Sequence, residues 1–92
     1  MFQVWHHLLV DIEQARGAVT RTLAVVLEMS PSAIADTALL EADLGADSLA
    51  VVEVVFGIEE RYGVRLRDDL VRRVRTVEDL ARAVAEAWRA IP

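Results

Sequence analysis

The chain has 92 residues, of which 54% are hydrophobic and 27% charged; its formal net charge is −5, and it contains no cysteine. This length suits one domain with a modest core and is too short to enclose a deep pocket with catalytic groups on several walls. The absence of cysteine excludes a disulfide framework, a thiolate metal site and a cysteine nucleophile. We therefore predict that residues 1–92 form a single domain that acts through its surface.

The sequence carries no signal for a membrane or for secretion. Arg21 interrupts the first apolar run and Glu53 the second, so neither approaches the roughly 18 residues of a membrane span. No basic segment precedes the apolar residues at the N-terminus, as it would in a secretory signal. We expect a cytoplasmic protein that makes no membrane contact. Met1 and the short tail after Trp88 suggest a free-standing chain, although a domain excised from a longer one stays open.

Acidic residues concentrate in the middle of the chain. The segment from Glu28 to Glu60 has eight acidic residues and no basic one, whereas residues 61–92 have eight arginines and five acidic residues. Such an acidic segment repels nucleic-acid phosphates and attracts basic protein surfaces. It predicts basic protein partners and no nucleic acid; the alternative is a helix face that is simply solvated.

The first 27 residues predict a long helix, because apolar residues recur at steps of three and four. The residues of this face are Trp5, Leu8, Ile12, Ala15, Val19, Leu23 and Val26 or Leu27. Pro31 disfavours helical geometry at Ser30, so the helix should end near Met29. Residues 30–34 predict one short turn with Pro31 in its first position. We expect the loop that follows to be attached to the core by three leucines, Leu39, Leu40 and Leu44.

Residues 49–62 predict a second helix with two apolar stripes. The stripe that suits the core contains Val51, Val54 or Val55, Ile58 and Tyr62. The other stripe, Leu49, Val52 and Phe56, lies beside acidic residues. It is either a docking surface or part of a wide buried face, and periodicity alone does not decide between them.

Two further helices follow. Gly63 suits the left-handed position after a helix end, and Thr76 with Asp79 suits the cap of a last helix. The apolar residues predicted for the short third helix are Val64, Leu66, Leu70 or Val71, and Val74; those for the buried face of the fourth are Val77, Leu80, Val84, Ala87 or Trp88, and Ile91. No strand pattern competes. The fold class predicted is all-α, a small four-helix bundle with a long first loop and a short third helix.

The segment Leu44-Gly45-Ala46-Asp47-Ser48-Leu49 lies where the loop meets the second helix. Gly45 permits a tight turn, and Asp47 suits the helix cap. Ser48 then falls in the first turn, where free N–H groups and the helix dipole favour a phosphate. This motif, with the order and spacing of the helices around it, resembles the prosthetic-group site of acyl carrier proteins.

The resemblance implies a carrier that is not itself an enzyme. In that family the serine is esterified with phosphopantetheine from coenzyme A, and the terminal thiol carries an acyl group as a thioester. Ser48 would be the attachment point, with Asp47 and Leu49 beside it. The residues implied to contact partners are Val52, Glu53, Phe56, Glu59 and Glu60. The implied partners are a phosphopantetheinyl transferase and synthase enzymes such as a ketosynthase and an acyltransferase, and the carrier itself is expected to be a monomer.

Three departures bear on the pathway. Ala50 stands where many fatty-acid carriers have an acid, and Ala46 stands where peptidyl carriers commonly have a glycine. Arginines replace the acidic or neutral residues frequent in the third helix of fatty-acid carriers: Arg67, Arg72, Arg73 and Arg75. We favour a polyketide-synthase carrier, with a fatty-acid or peptidyl carrier as the alternative. The identity of the acyl cargo, and whether it is buried in the bundle, stay open.

Other classes of protein fit less well. An enzyme with Ser48 as nucleophile would need a base, but His6 and His7 are adjacent on a helix and face different directions. For the same reason they make a poor metal site, so we predict no catalytic residue and no metal. The stronger rival is an unmodified helical interaction module, which would use Val52 and Phe56 and leave Ser48 free.

Overall fold

The computed structural model describes the backbone of residues 2–90 and the side chains of residues 12–90. Its elements are α1 (Phe2–Leu27), one 3₁₀ turn (Pro31–Ala33), α2 (Ser48–Tyr62), α3 (Asp68–Arg73) and α4 (Val77–Arg89). These residues form no strand beyond an isolated antiparallel bridge between Leu39 and Thr76. The predicted all-α bundle, with its long first loop and short third helix, is confirmed. None of the helices in residues 2–90 combines the length and hydropathy needed to cross a membrane.

The core lies where α1 packs against α2 and α4. Its largest fully buried side chains are Val19, Leu23, Val54, Ile58, Val77, Leu80 and Val84. The predicted core faces of these helices are confirmed over the described side chains, whereas Trp5, Leu8 and Ile91 lie outside them. Trp88 is half-buried and packs edge-on against Tyr62, with ring centroids 5.7 Å apart. These contacts fix α2, which carries the serine motif, against the other long helices.

Helix α1 ends two residues before the predicted Met29. Glu28 adopts a left-handed conformation with φ of 54°. The Met29 N–H then donates to the Ala24 carbonyl at 3.0 Å, which closes the helix in the manner of a Schellman motif. This position usually holds glycine or asparagine, so a glutamate there did not predict the helix end. The predicted turn at Pro31 is confirmed, and the Ser30 hydroxyl accepts the Ser32 N–H.

The long loop is attached to the start of α4 chiefly through its backbone. The Leu40 N–H donates to the Arg75 carbonyl at 2.9 Å, and the Val77 N–H donates to the Ala38 carbonyl at 3.1 Å. Leu40 is buried and Leu44 half-buried, as predicted, but the Leu39 side chain is 43% exposed. The prediction that Leu39 attaches the loop through its side chain is therefore wrong, because backbone pairing holds this position.

Helix α3 begins at Asp68, later than the hydrophobic pattern predicted. Val64 and Leu66 are buried, but they lie in the extended segment that precedes the helix. This segment follows Gly63, which has the expected left-handed φ of 67°. It is held by Glu59, whose Oε2 accepts the Leu66 N–H at 2.8 Å. A short buried segment has the same apolar spacing as a helix start, so periodicity did not separate the two.

Candidate functional site

The serine motif forms a hydrogen-bonded turn into α2. Gly45 has a left-handed φ of 70°, and the Ala46 N–H donates to the Leu40 carbonyl at 2.8 Å. Ala46 is buried, so it anchors the turn in the core. Asp47 caps α2, since its Oδ1 accepts the Ala50 N–H at 2.9 Å. The predicted roles of Gly45 and Asp47 in the local structure are confirmed.

Ser48 is the first residue of α2 and is exposed. Its hydroxyl forms no hydrogen bond with any described residue, and the side-chain cap of α2 comes from Asp47. The N–H groups at the start of a helix have no intrahelical carbonyl and carry a partial positive charge. The turn therefore presents an accessible hydroxyl beside groups that favour an attached anion.

A cleft of about 590 Å³ opens beside Ser48, between α2, the long loop and α3. Its apolar wall is formed in part by Val51, Val71 and Val74, and two arginines, Arg72 and Arg75, line it as well. The sequence marked these arginines only as a departure from a family pattern. Their place beside Ser48 depends on how α3 packs, and no local signal in the sequence shows it.

The second stripe of α2 lies on the surface. Leu49, Val52 and Phe56 are 68%, 58% and 60% exposed. This exposure excludes the alternative that the stripe fills a wide buried face. Glu53 and Glu60 are also exposed, so the stripe has an acidic border.

Glu59 differs from its acidic neighbours on α2. It is only half-buried rather than exposed, and its carboxylate accepts the Leu66 N–H. One carboxylate oxygen of Glu59 is thus occupied by the segment before α3. The expectation that it contacts partners in the same way as Glu53 and Glu60 overlooked this structural role.

Within the part of the chain that the structure describes, no three histidine, aspartate or glutamate side chains gather in a way that could hold a metal ion. His6 and His7 belong to α1, but their side chains lie outside the described residues.

Comparison with known proteins identifies the family. Residues 17–84 match the family model described as "Phosphopantetheine attachment site". The chain is 33% identical over 79 residues to a chloroplastic acyl carrier protein of Brassica napus, covering 86% of this chain and 56% of that protein. It is 38% identical over 60 residues to the acyl carrier protein of Zymomonas mobilis, covering 65% of this chain and 77% of that protein.

A third relative, the acyl carrier protein of Acidothermus cellulolyticus, is 49% identical over 45 residues, which are 49% of this chain and 54% of that protein. The chain thus spans little more than half the length of the Brassica and Acidothermus relatives. An all-helical bundle that matches a phosphopantetheine attachment site is a carrier domain. The chain belongs to the acyl carrier protein family.

The prosthetic group of this family is covalently attached phosphopantetheine. The residues around Ser48 fit such a group. The hydroxyl is exposed and free of partners in the described structure, the start of α2 favours a phosphate, and the adjoining cleft offers arginines and an apolar wall. Members of the family are modified by a phosphopantetheinyl transferase and deliver their cargo to synthase enzymes.

Proposed function

We propose that residues 1–92 form one carrier domain in which Ser48 is the attachment point for phosphopantetheine. The observation that carries this proposal is the position of the Ser48 hydroxyl, exposed on the first residue of α2 in a turn fixed by Ala46 and Asp47. When bound, the group supplies a thiol that holds an acyl cargo as a thioester. The chain's own part is to present the hydroxyl and to stabilise the resulting phosphodiester at the helix start.

The surface that partners recognise is, in this proposal, the exposed face of α2 next to Ser48. Leu49, Val52 and Phe56 provide an apolar contact area, and Glu53 and Glu60 provide the acidic border. A complementary partner has an apolar patch bordered by arginine or lysine. The transferase, a ketosynthase and an acyltransferase are the partners expected to share this face.

For the pathway we favour polyketide synthesis, in the cytoplasm. Ala50 in place of an acid, and the arginines in and beside α3, support it. The test compares transfer of an acyl group from the loaded carrier to a polyketide ketosynthase and to a fatty-acid ketosynthase. Faster transfer to the polyketide enzyme is expected; faster transfer to the fatty-acid enzyme would reassign the carrier.

Intact-mass measurement tests the attachment site. The wild-type chain, incubated with coenzyme A and a phosphopantetheinyl transferase, should gain the mass of one phosphopantetheine. Ser48→Ala should gain none and keep its helical circular dichroism, because Asp47 still caps α2. Ser32→Ala, which removes another exposed serine hydroxyl, is the matched control and should be modified like the wild type.

Two results would contradict the proposal. A mass gain that persists in Ser48→Ala would move the attachment to another residue. A wild-type chain that stays unmodified would favour the rival, an interaction module that uses Val52 and Phe56 alone.

A further inference from the structure

We propose that Arg72 and Arg75 form an anion-binding subsite that holds the phosphodiester of the attached arm and lays the arm along the cleft beside Ser48. The inference rests on the proposed attachment at Ser48. It adds a role for the two arginines, which neither the fold nor the docking face of α2 requires.

The first observation is the shared cleft. Ser48 lines it from α2, Arg72 lines it from α3, and Arg75 lines it from the segment between α3 and α4. A phosphate esterified to Ser48 is bonded directly to the Oγ of a residue that lines this cleft, whatever the arm carries. The N–H groups at the start of α2 add partial positive charge on the same side.

The second observation is that the positive charges of the two arginines are not paired with a described carboxylate. Arg72 and Arg75 are exposed, and neither forms a salt bridge with any described residue. In contrast, Arg16, Arg67 and Arg82 each lie within 4.0 Å of a carboxylate oxygen.

The cleft also contains two acidic residues. Glu41 and Asp47 line it, yet neither pairs with a described arginine, and Asp47 is engaged with the Ala50 N–H. The two guanidinium groups therefore form no ion pair with the carboxylates that line the cleft.

Arginine suits this task because its planar fork can donate two parallel hydrogen bonds to one phosphate. The apolar wall of Val51, Val71 and Val74 suits the dimethyl carbon of the arm, which lies close to its phosphate. A carboxylate on the cargo is another possible anion, but it sits at the far end of the arm and would have to fold back. The phosphodiester, fixed at Ser48, is the anion that this geometry favours.

The test uses the full chain, loaded to completion by a phosphopantetheinyl transferase as judged by intact mass. Arg72→Gln/Arg75→Gln removes the subsite, and Arg65→Gln/Arg73→Gln removes two exposed arginines that do not line the cleft. The readout is the ³¹P chemical shift of the phosphodiester at low salt, compared with the shift in concentrated urea, where no subsite exists. Circular dichroism checks that each variant folds.

Wild type and the Arg65/Arg73 control should show a shift displaced from the urea value, and Arg72→Gln/Arg75→Gln should lose most of that displacement. High salt should reduce the displacement in the wild type. Arg72→Lys/Arg75→Lys, which keeps the charge without the fork, should fall in between. Equal shifts in wild type and the cleft variant would overturn the subsite.

A second measurement separates the two anions. The Nε–Hε resonances of Arg72 and Arg75 should move when the bare arm is attached and change little when an acetyl or a malonyl group is added. Movement only with malonyl would assign the subsite to a cargo carboxylate and overturn the proposal. If the wild type gains no mass, the proposed attachment at Ser48 is wrong. That outcome differs from a loaded chain in which Arg72 and Arg75 do not contact the arm.

Discussion

The three acidic side chains of α2, Glu53, Glu59 and Glu60, differ in their exposure and contacts. Glu53 and Glu60 are exposed and form no side-chain hydrogen bond or ion pair with another described residue, whereas Glu59 accepts the Leu66 N–H and holds the segment before α3. The acidic residues of this helix therefore divide into two that are exposed, as the proposed recognition face requires, and one with a structural contact. The difference arises because the segment after Gly63 packs beside Glu59, where the Leu66 N–H can reach its carboxylate.

Reversing these charges should separate the structural role of Glu59 from the proposed recognition role of Glu53 and Glu60. Glu59→Arg should lower the free energy of unfolding by about 1 to 3 kcal/mol, because it leaves the part-buried Leu66 N–H without its acceptor. Glu53→Arg/Glu60→Arg should change stability by less than about 1 kcal/mol, as expected for exposed charges. The double variant should instead slow modification by the transferase, most strongly at low salt, because a basic partner meets repulsion in place of attraction.

Urea denaturation and initial rates of mass gain measure the two effects. Glu13→Arg/Glu86→Arg, a reversal of two exposed acids on α1 and α4, is the charge-matched control and should be modified at nearly the wild-type rate. An equal slowing in both double variants would mean that net charge, not the face of α2, governs recognition.

At the element scale, α2 presents two apolar faces with opposite consequences for mutation. Val54 is fully buried, whereas Val52, two residues earlier on the same helix, is 58% exposed. Since the residue type is the same, the pair isolates the effect of the face. Phe56 extends the exposed face by one turn.

Val52→Asp and Phe56→Asp should leave the bundle folded. Each should change the free energy of unfolding by about 0.5 kcal/mol or less, as is usual for surface positions. Both should weaken docking and raise the transferase KM. Val54→Asp should unfold most of the protein, because an unpaired carboxylate is buried in the core. Far-UV circular dichroism and transferase kinetics distinguish these outcomes; unfolding of the Val52 and Phe56 variants together with Val54→Asp would show that the stripe belongs to the core.

At the scale of the whole molecule, a charged contact joins α1, the long loop and α4. The Arg16 Nε and a terminal nitrogen donate to the two carboxylate oxygens of Glu78 at 2.9 and 2.8 Å, and Asp36 lies 3.9 Å from Arg16. The Arg16 hydrogen bond holds the pKa of Glu78 below its ordinary value of 4.5. The N–H groups of Arg75 and Thr76 likewise lower the pKa of Asp79 below 3.8.

The bundle should therefore lose stability in acid. A carboxyl group whose pKa is lower in the folded state stabilises that state fully above its unfolded pKa, and this contribution is lost as the pH falls through the folded value. For Glu78 and Asp79 the loss begins near pH 4.5 and continues below pH 3.8.

Glu78→Gln should be less stable than wild type at neutral pH and should lose less stability between about pH 5 and pH 3, since one of the linked carboxyl groups is gone. Urea denaturation across this range measures both effects. Glu86→Gln, an exposed acid on the same helix, should retain the wild-type slope. Identical slopes in wild type and Glu78→Gln would show that this contact does not contribute to acid unfolding.

The features that could be predicted from the amino-acid sequence are those that depend on near neighbours in the chain. The helical periods of α1, α2 and α4, the caps at Asp47 and Thr76, the left-handed Gly63 and the place of Ser48 at a helix start are all set within a few residues. Such features can be predicted because the helical period of 3.6 residues and the contact of a cap with a residue three positions away do not depend on the tertiary fold.

The tertiary structure decided what depends on segments far apart in the chain. Only packing shows that the Leu39 side chain is exposed while its backbone pairs with Thr76, and that Glu59 holds Leu66. Packing also brings Arg72 and Arg75 to the cleft of Ser48, 24 and 27 positions away in sequence. A buried extended segment and a helix start share the same apolar spacing, so the sequence pattern does not separate them. An arginine that lies beside a site has the same local sequence context as any surface arginine. In both cases the local pattern contains no information about which distant part of the chain packs against it.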